Sequence, residues 1–289
     1  MDVPIQQVIR PATIAEATAL LATRPDARPI AGGTDLMVQL RDGRKHISCL
    51  VDLDGLGMAE IRRVDEGVEI GASTRMHSIA AASEIRSNFP ALAAAAGTIG
   101  AWPIQCRATL GGNLVNASPA ADTAPALLIA GAVLTAVSTA GTRPLPVAGF
   151  FVGPGRTVLM PGELLVSVFL PLAQVPPGCR LVERFVKAGP RREQVIAVVS
   201  LAGRAVVRAD GTFEEVRLAL GSVAPTPVRA RRAEAALMGR RPNQETRRGA
   251  VQALQHDIAP IDDVRAPASY RRIAAAVLLD RFLLEAARV

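Results

Sequence analysis

Two pairs of adjacent glycines, Gly32-Gly33 and Gly111-Gly112, restrict the folds open to this chain more than any other sequence feature. Before the first pair, residues 28–31 predict a short buried strand, and after it residues 36–40 predict the start of a helix. Glycine accepts a positive φ and exposes backbone N–H groups with no Cβ in the way. A strand–glycine–helix turn of this kind suits a pyrophosphate, although an ordinary tight turn has the same pattern.

The second pair lies in Thr109-Leu110-Gly111-Gly112-Asn113, which offers a hydroxyl, two glycines and a polar amide. Two such turns indicate two subdomains that close on one diphosphate, and two unrelated turns remain the alternative. Neither turn reads G-x-G-x-x-G or G-x-x-x-x-G-K-[ST], so the sequence supports neither a Rossmann dinucleotide site nor a P-loop. The Ser-His-Asp order of a hydrolase is not found either.

Cysteines and histidines are too scattered to indicate a metal site. They are Cys49, Cys106, Cys179, His46, His77 and His256. An iron–sulfur cluster normally needs four cysteine ligands, and no zinc spacing occurs, so we expect no metal in this chain. Scattered thiols without a signal-like N-terminus favour a reducing, cytoplasmic location.

The net charge of +7 comes almost entirely from arginine. Nucleic-acid binding is one interpretation, but the arginines alternate with acids and form no basic helix, so we expect a solvated surface and no nucleic-acid partner. A basic face for an acidic partner subunit remains open, with 229–232 and 240–248 as the candidate arginine clusters. The longest apolar run, 124–137, is too short to span a bilayer and is interrupted by Pro125 and Gly131.

Changes in pattern divide the chain into predicted domains at 1–175 and 176–289, with subdomains at about 1–53 and 54–175. The first subdomain begins with a capping box at Thr13–Glu16 and has strands at 28–31 and 47–53. The second combines a hairpin near Glu66-Gly67, a long helical region at 76–96 and short apolar segments at 114–116, 132–137 and 164–170. This pattern predicts a mainly antiparallel sheet covered by helices.

A linker at 174–178 leads into the C-terminal domain. Strands are predicted at 181–187, 196–208 and 214–222, and helices at 229–238, 244–256 and 269–287. The domain is therefore predicted to be a three-stranded antiparallel sheet with helices, and the whole chain to be α+β.

Five segments, in this order, resemble the FAD-binding medium subunit of the molybdenum hydroxylases, the family of xanthine dehydrogenase and carbon monoxide dehydrogenase flavoproteins. They are AGGTDL at 31–36, TLGGNLVNASPAAD at 109–122, PGELLVS at 161–167, FVKAGPRRE at 185–193, and DDVR at 262–265 with SYRR at 269–272. The resemblance covers nearly the whole chain. It implies an FAD-binding domain of the vanillyl-alcohol-oxidase (PCMH) type in two subdomains, followed by a small α+β domain.

By position, the resemblance implies that two runs hold the FAD pyrophosphate. They are Pro29, Ile30, Ala31, Gly32, Gly33, Thr34, Asp35 and Leu36, and Thr109, Leu110, Gly111, Gly112 and Asn113. It places Asp122 on the ribityl or adenosine side, Leu165 near the flavin ring and Lys187 at its polar edge. Without it, Leu165 would be a core residue and Lys187 a solvated strand lysine. No His or Cys lies in either glycine motif, so FAD is expected to be non-covalent, and no residue is nominated as a general acid or base.

The resemblance also implies partners: a large subunit with the molybdenum cofactor and a small subunit with [2Fe–2S] clusters, as a dimer of heterotrimers. The chain would pass electrons through FAD to an external acceptor. Two alternatives to this subunit function are a self-contained FAD oxidoreductase, such as the enolpyruvyl reductase of cell-wall synthesis, and a scaffold without flavin. Gln105 and Gln194 stand where an arginine and an aspartate are common in the family. These two differences concern the local flavin contacts and the electron acceptor. Neither the hydroxylated substrate nor the acceptor follows from the sequence.

Overall fold

The computed structural model describes residues 5–44, 47–191 and 194–288. His46, Arg192 and Glu193, which belong to patterns noted above, lie outside these ranges. Over the described residues, the chain forms a parallel three-stranded sheet, an antiparallel five-stranded sheet and an antiparallel four-stranded sheet, each in contact with helices. The predicted α+β class is therefore confirmed.

The N-terminal sheet has the strand order β1–β3–β2, and both strand pairs are parallel. Its elements are β1 (Gln7–Ile9), α1 (Ile14–Thr23), β2 (Ala27–Ile30), α2 (Leu36–Arg41) and β3 (Cys49–Asp52). The predicted cap of α1 is present, because Thr13 Oγ1 accepts from the N–H of Glu16 at 3.1 Å, and Glu16 Oε2 accepts from the N–H of Ala12 at 2.8 Å. β2 ends at Ile30, one residue before the first glycine pair, which places that turn between a strand and a helix as predicted.

The five-stranded sheet has the order β4–β5–β10–β6–β7, and all of its pairs are antiparallel. Its strands are β4 (Ile61–Val64), β5 (Gly67–Gly71), β6 (Val133–Ser138), β7 (Gly141–Pro146) and β10 (Leu164–Pro171), and a separate ribbon contains β8 (Phe151–Gly153) and β9 (Arg156–Thr157). The helices between them are α3 (Met76–Ala81), α4 (Ser83–Asn88), α5 (Pro90–Gly97), α6 (Trp102–Gln105), α7 (Leu110–Val115) and α8 (Thr123–Ala130). The hairpin predicted near Glu66-Gly67 joins β4 to β5.

The helical region predicted at 76–96 is present, as three short helices. They are separated where Ala82 has an extended ψ of 124° and where Pro90 disfavours a helical conformation at Phe89. The short apolar segment at 114–116 is not a strand of the sheet, because it forms the end of α7 and its cap. Short apolar runs do not distinguish a buried helix from a strand, and every residue of the apolar helix α8 is buried.

The C-terminal sheet has the order β11–β12–β13–β14 and is antiparallel throughout. Its elements are β11 (Cys179–Ala188), β12 (Val199–Arg208), β13 (Phe213–Gly221), β14 (Val228–Arg229), α9 (Arg231–Leu237), α10 (Gln244–Leu254) and α11 (Ala268–Ala287). All three predicted strands and all three predicted helices are present. The prediction of three strands omitted β14, whose two residues are too few for a sequence pattern. Among the described residues, no helix has the length and apolar character needed to cross a bilayer.

Candidate functional site

A cavity of about 830 Å³ is lined by residues of the N-terminal sheet, the five-stranded sheet and the C-terminal domain. Its wall includes every predicted site residue except Leu110 and Lys187. These lining residues are Pro29, Ile30, Ala31, Gly32, Gly33, Thr34, Asp35, Leu36, Thr109, Gly111, Gly112, Asn113, Asp122 and Leu165. The fold therefore brings both glycine turns to one cavity, whose size is within the range of ligand sites.

The first glycine turn presents unpaired backbone donors. Within the described residues, the N–H groups of Gly32 to Asp35 donate to no protein acceptor. Gly33 has a φ of 70°, a conformation that L side chains rarely adopt, and this conformation carries the chain from β2 into α2. Successive free N–H groups at the start of a helix form an anion-binding concavity.

The second turn differs, because its N–H groups already have partners. The N–H of Leu110 donates to Thr74 O at 3.0 Å, and the N–H of Gly111 donates to Ala72 O at 2.7 Å. A Cβ at Gly111 would lie 2.8 Å from the Cβ of Ala72, so glycine is required there by packing against the chain. The expectation that both turns present the same backbone donors is met only at the first.

Side chains supply the donors that remain at the second turn. Thr109 Oγ1 caps α7 by accepting from the N–H of Gly112 at 3.1 Å, which leaves its own proton free to donate. Asn113 Oδ1 accepts from Thr123 Oγ1 at 2.6 Å, so the Asn113 amide nitrogen is free to donate. A Cβ at Gly112 would meet only Thr109 Oγ1, at 2.9 Å. This turn can therefore bind a ligand through its hydroxyl and amide groups.

Gly32 joins the first turn to the segment that precedes the second. A Cβ at this position would lie 2.1 Å from the carbonyl oxygen of Arg107, closer than any real Cβ contact. That carbonyl also accepts from Arg75 Nη1 at 2.7 Å, and Arg75 Nη2 donates to Asp54 at 2.6 Å. The missing side chain at Gly32 thus allows the two glycine segments to touch. Sequence reasoning missed Arg75 because no motif includes it.

Asp122 and Lys187 form a buried ion pair at the cavity wall. The Lys187 Nζ lies 2.6 Å from Asp122 Oδ2 and 3.0 Å from Thr98 O, and the two side chains are 8% and 7% exposed. Burial raises the pKa of Asp122 to about 6, although the Lys187 ammonium acts in the opposite direction. Lys187 is not itself part of the cavity wall, so it reaches the site through Asp122. The interpretation of Lys187 as a solvated strand lysine is wrong.

The C-terminal domain closes one end of the cavity through Asp263, Arg265 and Arg271. Arg271 Nη1 donates to Val198 O at 2.6 Å and to Ser222 O at 2.9 Å, and its Nη2 donates to Asp263 Oδ1 at 2.7 Å. Burial opposes ionisation of Asp263, but backbone N–H groups and Arg271 outweigh it and lower the pKa of Asp263 to about 2. Segments 262–265 and 269–272 resemble the family in sequence, but the resemblance assigns neither of them to the site.

The arginine clusters predicted as docking faces, 229–232 and 240–248, do not line this cavity. Arg229 Nε is 2.7 Å from Glu234 Oε1, and Arg240 and Arg248 line a separate hollow beside α9 and α10. The described residues include no cluster of three or more His, Cys, Asp or Glu side chains suited to a metal ion.

Comparison with known proteins gives two matching family models. Residues 4–173 match the FAD binding domain in molybdopterin dehydrogenase, and residues 184–286 match the CO dehydrogenase flavoprotein C-terminal domain. The chain is 34% identical over 266 residues to the xanthine dehydrogenase FAD-binding subunit of Escherichia coli O157:H7, covering 91% of this chain and 89% of that one. It is 30% identical over 274 residues to the carbon monoxide dehydrogenase medium chain of Afipia carboxidovorans, covering 94% and 93%.

Solved structures match over the same extent. A chain of Cu,Mo-CO dehydrogenase in its cyanide-inactivated form superposes with a TM-score of 0.93 at 29% identity, covering 99% of both chains. A chain of quinoline 2-oxidoreductase from Pseudomonas putida 86 superposes with a TM-score of 0.92 at 28% identity, covering 100% of this chain and 99% of that one. The similarity thus extends over both parts of the chain.

Proposed function

The chain belongs to the family of FAD-binding subunits of molybdopterin dehydrogenases, and from this we propose that it is the FAD-carrying, electron-transferring subunit of a molybdenum hydroxylase complex. One observation carries the proposal: the unpaired N–H groups of the first glycine turn lie in a cavity shared with the second turn. A dinucleotide with a central diphosphate has the charge that such donors recognise.

The residues present fit FAD on two further counts. Gly33 at a φ of 70° allows the turn with its free N–H groups, and a Cβ at Gly32 would break the contact with the second segment. The buried Asp122 Oδ1 has no hydrogen-bond partner among the described residues, and a hydroxyl of the ligand would supply the donor that it needs. When bound, FAD supplies the redox chemistry, and the protein supplies binding, orientation and electrostatic tuning.

We assign roles to the predicted residues as follows. Within residues 29–36, the N–H groups of Gly32 to Asp35 bind the diphosphate, and residues 109–113 bind it through the Thr109 and Asn113 side chains. Asp122 accepts a hydrogen bond from the sugar-alcohol part, and Lys187 positions Asp122. Leu165, which is buried and lines the cavity, packs against the flavin ring. Two domains, 1–175 and 176–289, together enclose the cofactor.

By the same proposal, electrons arrive from [2Fe–2S] clusters on a small partner subunit and leave to an external acceptor. The molybdenum cofactor is held by a large partner subunit, where the substrate is hydroxylated. The assembly is a cytoplasmic dimer of heterotrimers. The polar groups of the cavity, which suit a dinucleotide, support the part that this proposal gives to the chain.

The first experiment examines the cofactor. The chain purified with its partners should show flavin absorbance, and acid precipitation should release all of the flavin as FAD into the supernatant. Flavin retained on the denatured polypeptide would contradict non-covalent binding. A purified complex that contains no flavin would establish the alternative of a scaffold subunit.

The second experiment examines the source of the electrons. Stopped-flow spectroscopy would follow flavin absorbance in the lone chain and in the assembled complex after mixing with purines, N-heterocycles, aldehydes or carbon monoxide. We expect dithionite to bleach the flavin in both preparations, and a substrate to bleach it only in the complex. Bleaching by a substrate in the lone chain would favour the self-contained oxidoreductase.

A further inference from the structure

The three residues after β5 are held against the second glycine turn by a pair of backbone hydrogen bonds. Ala72 O accepts from the N–H of Gly111 at 2.7 Å, and Thr74 O accepts from the N–H of Leu110 at 3.0 Å. These two bonds lie on either side of Ser73. The backbone of Ser73 is also fixed from a third direction, because its N–H donates to Met58 O at 2.7 Å. The position of this serine is therefore closely determined.

The hydroxyl of Ser73 is buried and has no partner among the described residues. Ser73 is only 5% exposed, yet it belongs to the wall of the cavity. An unsatisfied buried hydroxyl is destabilising, so proteins rarely keep one without a ligand or water as its partner. A rigid backbone thus holds an unused hydrogen-bonding group beside the second turn.

The Ser73 hydroxyl can replace the backbone donors that the second glycine turn does not have free. The turn uses the N–H groups of Leu110 and Gly111 to hold residues 72–74, whereas the first turn keeps its N–H groups free. We propose that the Ser73 hydroxyl donates a hydrogen bond to the diphosphate of bound FAD, in place of the donors used at the second turn. The proposal rests on FAD binding as the function of the cavity. It adds a binding residue that lies outside both glycine motifs.

A matched pair of serines allows a sharp test. Ser200, on β12, is fully buried and also has an unpartnered hydroxyl, but it does not line the cavity. Apo-protein would be prepared for the wild type, Ser73→Ala and Ser200→Ala, and FAD affinity would be measured by fluorescence titration. ADP, which has the diphosphate but no flavin, would be titrated as a competitor. Thermal unfolding of each apo-protein would establish that the variants are folded.

We expect Ser73→Ala to weaken the binding of FAD and of ADP by the same factor, roughly ten- to a hundredfold, as for the loss of a hydrogen bond to a charged acceptor. Ser200→Ala should leave both affinities unchanged. If Ser73→Ala does not fold, the nearly isosteric Ser73→Cys, a weak donor, should show the same pattern. Equal FAD affinity in Ser73→Ala and wild type would overturn the proposal, as would a loss confined to FAD. A wild-type chain that binds no FAD would instead refute the function on which the proposal rests.

Discussion

A single methyl group at Gly32 should separate the two glycine segments. In Gly32→Ala the new Cβ would start 2.1 Å from Arg107 O, 2.8 Å from its carbonyl carbon and 3.1 Å from the Cα of Ala108. Because all of these atoms are backbone, no side chain can rotate away, and the segments must move apart by about 1 Å. Overpacking of this kind costs about 1–3 kcal/mol, which lowers the Tm by roughly 3–10 °C for a domain of this size.

The same movement should weaken FAD binding, because the donors of the first turn shift relative to Thr109 and Asn113. We expect the FAD dissociation constant to rise at least tenfold, measured by fluorescence titration of the apo-protein alongside its unfolding temperature. Gly149→Ala is the matched control, since its Cβ would meet no atom within 4 Å. If Gly32→Ala matched the control in both measurements, the contact with Arg107 would not build the site.

Three further changes test other parts of the structure. Gly33→Val places a β-branched residue at a φ of 70° in the phosphate-facing turn, and we expect flavin absorbance to be lost from the purified protein. Lys187→Met should raise the pKa of Asp122 further above about 6, because the ammonium group that stabilises the charged carboxylate is removed. Burial tolerates the neutral carboxyl better than the carboxylate, so the variant should lose more Tm relative to the wild type at pH 7.5 than at pH 5. Glu183→Gln should leave Arg204, its partner at 2.6 Å, without a counter-charge and destabilise the chain by about 3–5 kcal/mol in urea unfolding.

The sequence predicted the C-terminal domain well because its strands and helices are long. β11 and β12 each contain ten residues, enough for apolar periodicity to decide the element type. Between residues 76 and 116 the elements are short and alanine-rich, so the sequence predicted a helical region at 76–96 without its breaks at Ala82 and Phe89. Helix boundaries there depend on packing between helices, which no local pattern encodes.

At the site, the sequence predicted the glycine turns and missed the residues that support them. Glycine pairs carry a local signal, since both their conformational freedom and their bare backbone are properties of the residue itself. Ser73, Arg75 and Arg271 acquire their places only through pairing with distant segments: Thr74 with Leu110, Arg75 with Arg107, and Arg271 with Val198. No local spacing of residues in the sequence predicts such long-range contacts.

One face of β11 explains why the cavity needs both domains. Alternate residues along a strand point to the same face, and in β11 that face contains Glu183, Phe185 and Lys187. Glu183 accepts from the N–H of Ala91 at the start of α5, Phe185 belongs to the core of the first domain, and Lys187 reaches Asp122.

Two of these three contacts involve buried ionic side chains. Removing one partner of a buried ion pair is strongly destabilising, but the intact pair stabilises the fold little more than apolar packing would. Their value is therefore in fixing orientation: they set the C-terminal sheet at one angle on α5, and so determine where Arg271 and Asp263 close the cavity. A chain truncated after β10 would retain both glycine turns and lose one wall of the cavity between them.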